Sequence, residues 1–149
     1  MKFSWRNLKI AIAGARLSHL VQKDKIWDHG TMVETVKIIF NQVQRAREGN
    51  EAETLSKYMT QSGYTALKKQ LQQLRMKDRY RQKKQLVIKE VAVLGVSPAK
   101  HDAPDHFTAL VRETEIIMVD EANEKKSTQD FLEQWVFVRQ GDWWLLDSI

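Results

Sequence analysis

Hydrophobic and polar positions alternate most clearly in the C-terminal stretch from Phe131 to Ile149. Up to Arg139, one parity carries Phe131, Glu133, Trp135, Phe137 and Arg139, and the other carries Leu132, Gln134, Val136 and Val138. A period of two indicates a β-strand, and both of its faces are mostly apolar. We therefore predict a strand that needs cover on both faces. A turn at Gln140-Gly141-Asp142 then brings a second strand, Trp143 to Ile149, back beside it as a hairpin.

Two stretches farther upstream also have the character of strands. Leu86 to Val96 and Phe107 to Val119 are rich in β-branched residues, and Ser97 to Asp105 between them holds both prolines of the chain. Proline favours a loop over the interior of a sheet. With a charged turn from Glu121 to Thr128, the pattern predicts four antiparallel strands.

The middle of the chain has helical spacing instead. Its apolar residues recur every three or four positions: Val36, Ile39, Phe40, Val43 and Ala46. This spacing predicts the central helix of the core. Thr31 and Glu34 form a capping-box pattern, which predicts the start at Thr31, and Gly49 marks the end.

Two further helices are predicted before the strands. The first is short, begins with the cap pattern at Asn50 and Glu53, and is broken before Gly63. The second is amphipathic and runs from Tyr64 to near Asp78. Their apolar residues are Leu55, Tyr58 and Met59 in the first, and Leu67, Leu71 and Leu74 in the second.

The order of helices first and strands afterwards predicts an α+β fold. N-terminal helices should pack on one side of a curved four-stranded antiparallel sheet, without βαβ crossovers. The chain has 149 residues, 42% of them hydrophobic, which suits one domain with a substantial core. No stretch of about 18 apolar residues is present, so no membrane span is predicted.

Residues 1–26 are predicted to form a cationic amphipathic helix with Ser4 as its N-cap. Two apolar stripes lie side by side: Trp5, Leu8, Ile12 and Ala15 in one, and Ile10, Ala13, Leu17, Leu20 and Val21 in the other. The cations, with no acidic residue before Asp24, are Lys2, Arg6, Lys9, Arg16 and Lys23. Three interpretations stay open: a core helix, an interfacial membrane anchor with Trp5 at headgroup depth, and a transit peptide.

Charge is divided unevenly along the chain. Residues 1–89 contain 19 Lys and Arg against 7 Asp and Glu, whereas residues 90–149 contain 5 against 12. Such an asymmetry favours a polyanion or an anionic membrane as partner of the basic half, although mixed charge also keeps small domains soluble. The absence of cysteine excludes disulfides and thiolate metal sites, and it fits a reducing compartment.

The densest basic cluster lies at the end of the helical half. It consists of Arg75, Lys77, Arg79, Arg81, Lys83 and Lys84, with Tyr80 among them. Such a cluster can neutralise several phosphates, and Tyr80 can stack on an unpaired base, which makes RNA a candidate partner. The alternative is a solvated helix end, where cations favour the helix dipole.

One loop carries the residue types of a metal site. His101, Asp102, Asp105 and His106 place two imidazoles and two carboxylates within six residues. Aspartate and proline are also favoured in this loop for turn geometry alone. We therefore predict no metal ion and no cofactor.

Six charged residues interrupt the predicted strands: Glu90, Arg112, Glu113, Glu115, Glu133 and Arg139. A carboxylate such as Glu113 or Glu133 that points into an interior pocket would have a raised pKa and would suit general-base catalysis. Cross-strand ion pairs are the commoner explanation of such residues. We therefore predict that the protein is not an enzyme.

Four short motifs resemble the Tim44-like domain, a family named for the peripheral scaffold subunit of the mitochondrial inner-membrane import translocase. The motifs are Phe40-Asn41-Gln42-Val43-Gln44-Arg45-Ala46; Leu55 with Tyr58-Met59-Thr60; Phe131-x-Glu133-x-Trp135-x-Phe137-x-Arg139; and Trp144-x-Leu146-Asp147-x-Ile149. The resemblance extends over residues 27–149, which leaves 1–26 as a separate N-terminal helix. The family also includes bacterial members and a mitochondrial large-ribosomal-subunit protein.

The resemblance implies a cone-shaped relative of nuclear transport factor two. It implies a non-catalytic binding or scaffold domain, peripheral to a membrane or a membrane protein assembly, on the bacterial cytoplasmic or mitochondrial matrix side. An apolar pocket between sheet and helices would be lined by Phe40, Tyr58, Trp135, Phe137 and Trp144. RNA binding and small-ligand binding are the alternatives. The residues expected to contact an anionic membrane are Lys2, Trp5, Arg6, Lys9 and Arg16.

Overall fold

Helices precede strands along the chain, as predicted. The computed structural model describes residues 4–49, 52–77, 84–120 and 125–149; the side chains of 74–77, 84, 85, 117–120 and 125–127 lie outside that description. The helices are α1 (Trp5–Lys23), α2 (His29–Gly49) and α3 (Gln61–Lys77), with 3₁₀ helices at Lys25–Trp27 and Ala52–Lys57. The strands are β1 (Lys84–Ser97), β2 (His106–Asp120), β3 (Lys125–Gln140) and β4 (Trp143–Ser148).

The strands form one sheet in the order β1-β2-β3-β4, and every neighbouring pair is antiparallel. The α+β class and the antiparallel sheet are therefore confirmed. Register shifts interrupt β1 twice, and such bulges bend a strand. The hairpin between β3 and β4 has a two-residue turn, in which Gly141 takes a φ of +62° that few other residues adopt.

The inner face of the sheet carries most of the core. Odd-numbered residues of β2 and β3 point inward, among them Phe107, Val111, Trp135 and Phe137, which are all fully buried. Helix α2 covers this face with its predicted apolar stripe and with Met32, and the Phe40 and Trp135 rings lie 5.6 Å apart. The apolar stripe of α2, with residues three and four apart, therefore packs against the inward-facing residues of β3, which are two apart.

The outer face of β3 is not covered along its whole length. Leu132 is 47% exposed, Gln134 is exposed, and Val136 and Val138 are half-buried. The prediction that both faces of this strand are covered was wrong. An antiparallel sheet buries one face and leaves the other partly in water, and here one layer of helices is enough to cover the inner face.

Arg139 joins three parts of the chain at one end of β3. Its Nη1 donates to the carboxylate of Asp24 at the end of α1 and to Asp105 Oδ2, at 3.0 Å, in the β1–β2 loop. Its Nε donates to the Gly141 carbonyl at 2.7 Å. The hydrogen bond from Arg139 lowers the pKa of Asp24 below its usual value. Arg139 thus forms structural ion pairs, which the sequence favoured over a catalytic role for the charged residues of the strands.

Helix α2 begins two residues earlier than the Thr31–Glu34 pattern predicts. Asp28, not Thr31, is the cap, because its Oδ2 accepts from the Thr31 amide at 2.9 Å and from the Thr31 hydroxyl at 2.7 Å. An aspartate three residues before an amide serves this role as well as a threonine does. The predicted cap of α1 is confirmed, since the Ser4 hydroxyl accepts from the Asn7 amide at 3.1 Å.

The short helix ends before Gly63 as predicted, but helix α3 begins at Gln61 and not at Tyr64, so Gly63 lies inside it. Thr60 caps this helix through its hydroxyl, which accepts from the Gly63 amide at 3.1 Å. The backbone before it pairs with the edge strand β4, through Leu146 N to Tyr58 O at 2.9 Å and Thr60 N to Leu146 O at 3.0 Å. The edge of the sheet at β4 is therefore protected by the start of α3.

We predict that Gly63→Ala destabilises the fold. A Cβ at this position would lie 2.4 Å from the backbone carbonyl oxygen of Asp147, so β4 and α3 would have to move apart. Overpacking of this kind costs about 1–3 kcal/mol. Urea denaturation should show a lower midpoint for Gly63→Ala. Gly14→Ala in α1 is the matched control, because nothing lies within 4 Å of its new Cβ, and an unchanged or higher midpoint is expected. Equal stability of the two variants would contradict the close approach.

Candidate functional site

Helix α1 divides its two apolar stripes between the core and the surface. Ala13 and Leu17 of one stripe are buried, whereas Trp5 and Ile12 of the other are 75% and 51% exposed. Helix α1 is therefore a core helix along one side and presents unpartnered apolar side chains along the other. A tryptophan this exposed on a helix is typical of a contact surface.

The predicted anion-binding cations of α1 do not share one environment. Arg6 and Lys9 are exposed near Trp5, whereas Arg16 donates to the Val96 carbonyl of β1 at 2.8 Å. Arg16 therefore helps to hold α1 on the sheet as well as presenting charge. Lys2 lies outside the described residues.

A groove of 390 Å³ separates the first half of α1 from the outer face of the sheet. It is lined by Arg6, Asn7 and Ile10 of α1 and by Glu90, Ala92, Leu110, Arg112, Asp130, Phe131 and Leu132 of the strands. Two of the carboxylates are engaged, since Asp130 accepts from the Thr114 hydroxyl at 2.7 Å and Glu90 lies 4.0 Å from Arg112. Arginine and leucine side chains thus share one open cleft beside the exposed face of α1.

The five aromatic residues expected to line a pocket lie in the interior. Trp135, Phe137 and Phe40 are at most 1% exposed, Trp144 is 4% exposed, and Tyr58 is half-buried. Their rings contact other rings: Phe137 stacks on Phe107 at 4.9 Å, and Trp144 meets Phe107 at 4.8 Å. These contacts place the aromatic residues in the core that joins α2 to the sheet.

We predict that Trp135→Ala is severely destabilising. Loss of a fully buried tryptophan costs about 3–5 kcal/mol, a large part of the 5–15 kcal/mol that a domain possesses. Thermal melts should show unfolding near ambient temperature or failure to express. Trp135→Phe is the control, because it keeps a ring against Phe40 and should lose much less. A shift of only a few degrees in Trp135→Ala would show that the ring carries little of the core.

The other predicted clusters give no assembled site in the described structure. Arg79, Arg81 and Lys83 of the basic cluster lie outside the described residues, and Arg75, Lys77 and Lys84 are described by backbone alone. In the His101–His106 loop, Asp105 accepts from the Ala99 amide at 2.6 Å and binds Arg139, while His101 and Asp102 are exposed. Among the described residues, no group of three metal-ligating side chains is present.

Glu113 of β2 is the one buried charged residue in the described structure. It is 0% exposed, and neither carboxylate oxygen has a hydrogen-bond partner. Burial and, to a smaller extent, the nearby charge of Glu133 together raise the pKa of Glu113 to about 7, and Arg47 opposes the shift. An unpartnered buried carboxylate is unusual, so this position has a cost that ordinary core residues lack.

Neighbouring polar groups converge on the same interior region. Trp135 Nε1 donates to Glu133 Oε2 at 2.8 Å, which holds Glu133 beside the core. On α2, Gln44 has a buried side-chain nitrogen without a partner. Gln44 and Arg47 follow Phe40 on one side of the helix, a spacing that could have identified them in the sequence. The arrangement can bind or release a proton near neutral pH.

We predict that Glu113→Gln stabilises the protein more at pH 8 than at pH 5. With a pKa of about 7 in the fold against a model value of 4.5, the folded state binds the proton more tightly than the unfolded chain does. Stability therefore falls as pH rises from about 4.5 to 7, by up to about 3 kcal/mol, and is level above that range. The amide keeps the shape without the charge.

Melting temperatures of both proteins at pH 5 and pH 8 test this prediction. The difference between variant and wild type should be several degrees larger at pH 8. Glu90→Gln, an exposed carboxylate on β1, is the control and should show no such pH dependence. A constant difference across pH would mean that Glu113 is charged at both values.

No helix in the described part of the chain is both long and apolar enough to cross a membrane.

Comparison with known proteins identifies a family and related solved structures. A family model of the Tim44-like domain matches residues 13–149, which begins within α1 and runs to the last residue. The crystal structure of the intermembrane space region of the chloroplast protein ARC6 is similar with a TM-score of 0.48 and 12% identity, covering 78% of this chain and 92% of that one. No curated protein matches the sequence.

Proposed function

Because the chain belongs to the Tim44-like domain family, we propose that it is a non-catalytic scaffold domain that binds a membrane surface through α1. Membership of this family indicates a membrane-associated binding or scaffold role. The finer proposal is that the partner is an anionic lipid surface, on the bacterial cytoplasmic or mitochondrial matrix side. The observation that carries it is the exposed apolar stripe of α1 with cations beside it.

The exposed stripe has the chemistry of an interfacial helix. Trp5 and Ile12 supply apolar surface, and Arg6 and Lys9 supply charge on the same helix. A tryptophan ring is stable at headgroup depth, and each cation near an anionic surface contributes about 1 kcal/mol. The helix is held to the sheet by Ala13 and Leu17, so the domain would bind as a folded unit.

The sheet adds to this surface beside α1. Leu132 is 47% exposed on the outer face, and Arg112 lines the groove opposite Arg6. An apolar side chain and two arginines around one cleft extend the area that can meet a membrane or a membrane protein. RNA, the alternative partner, depends on a basic cluster whose side chains lie outside the described structure, so RNA binding enters as an outcome of the test.

Liposome co-sedimentation tests the proposal. Wild-type protein should bind vesicles that contain anionic lipid, and binding should decrease with salt because headgroup attraction is screened. Arg6→Glu with Lys9→Glu should abolish most of the binding through a charge change of four units. Trp5→Ala should weaken binding at every salt concentration, since it removes the inserted ring.

Lys37→Glu with Lys69→Glu is the matched control. Both lysines are exposed, on α2 and α3, so the same change in net charge is made away from α1. An equal loss in this control would mean that net charge alone drives binding and would contradict a role for α1. No binding to anionic vesicles, together with a gel shift of structured RNA at low salt, would replace the membrane proposal by RNA binding.

A further inference from the structure

We propose that Glu113 and Glu133 form an interior carboxyl pair that binds one exchangeable proton, and that release of this proton loosens the second half of α2 from the sheet. The proposal concerns the inner face of the sheet, not the α1 surface. It rests on the buried carboxylate of Glu113 and on the buried side-chain nitrogen of Gln44, neither of which has a hydrogen-bond partner or a part in the membrane proposal.

The register of the sheet makes the two carboxylates neighbours. Glu113 pairs with Phe131, and Glu133 pairs with Val111, so both acids point to the inner face from adjacent strands. Inner-face residues in this diagonal relation have Cβ atoms about 7–8 Å apart or less, within reach of two glutamate side chains. Glu133 is fixed in place by the 2.8 Å hydrogen bond from Trp135.

The charged groups around Glu113 are more negative than positive. Glu133 comes from β3, Glu115 follows on the same face of β2, and Arg47 comes from α2. From β1, the residue paired with Glu113 is Ile88, and Leu86 lies beside it, so this side is apolar. Three carboxylates, Glu113 among them, with one guanidinium nearby, in a site without water access to Glu113, favour uptake of a proton.

The hydrogen bonds also favour a shared proton. Trp135 donates a hydrogen bond to Glu133, whereas no group donates to Glu113. The proton therefore resides mainly on Glu113, and burial raises the pKa of that carboxyl to about 7. Two acids that interact this closely release their protons in two separate steps.

Helix α2 is the element that responds when the proton leaves. An ionised Glu113 has no donor in the described structure, and the unpartnered nitrogen of Gln44 lies on the helix that covers it. Water can satisfy both groups only if α2 moves away. The last fully buried residues of α2 are Val43 and Ala46, and the helix ends at Gly49. Its C-terminal end therefore has few core contacts to break when it moves away from the sheet.

Carbon-detected NMR of the glutamate side-chain carboxyls tests the shared proton. In the wild-type protein, the Glu113 carboxyl should titrate between about pH 6 and 8. Glu133→Gln should lower the Glu113 midpoint because it removes a negative neighbour. Arg47→Met should raise the midpoint because it removes a positive one.

Hydrogen exchange tests the loosening of α2. After correction for intrinsic rates, amides of residues 43–48 should lose protection between pH 6 and 8.5 in the wild type, and amides of residues 32–37 should not. Glu113→Gln should keep the protection of residues 43–48 constant, because it carries no charge at either pH. A Glu113 midpoint near 4.5 in the wild type would overturn the proton site. A Glu113 titration between about pH 6 and 8 with unchanged protection of residues 43–48 would overturn the movement of α2. Neither result depends on lipid binding.

Discussion

The structure depends on one constraint: the inner face of β2 and β3 must be kept from water, and α2 is the element that covers it. Trp135 and Phe40 are in contact at the centre of this layer, and both are almost fully buried. Every other contact serves this burial. The first stripe of α1 extends the core towards β1, and the start of α3 closes the β4 edge through Leu146. A single layer of helices suffices because the sheet bends at its bulges.

Much of this fold is predictable from the sequence because each main element repeats its pattern over several turns or pleats. The stripe of α2 holds from Val36 to Ala46 and the alternation of β3 from Phe131 to Val138, and both are confirmed. The errors fall at ends and at close approaches. Asp28 and Thr31 are equally good caps by composition, and only backbone geometry decides between them. Glycine usually breaks helices, but Gly63 lies inside α3, where the backbone of Asp147 leaves no room for a Cβ.

The candidate sites were predictable only in part, because the sequence does not show which side of a helix or which face of a strand meets the core. The sequence contains two apolar stripes on α1, but nothing local decides which one meets the sheet. Arg16 and Val96 fix the choice through a contact 80 residues apart in the chain. Likewise Glu113 was recognisable as a charge within a strand, but its inward direction follows from the register against β3. The spacing of Gln44 and Arg47 from Phe40 puts them on one side of α2, but which residues of the sheet they approach follows from the tertiary position of the helix.

The groove beside α1 and the interior carboxyl pair each take one of two successive residues of β2, on opposite faces of that strand. Arg112 points to the outer groove beside Arg6, and Glu113, the next residue, points to the interior. Successive side chains of a strand alternate between faces, so the sheet separates the exposed cation from the buried acid. Since β2 is hydrogen-bonded on both sides, it cannot rotate to exchange these positions. Helix α2 contacts both β1 and the 3₁₀ helix that follows α1, and α1 itself packs on β1, so the interior site and the α1 surface are joined through β1 and these two helices.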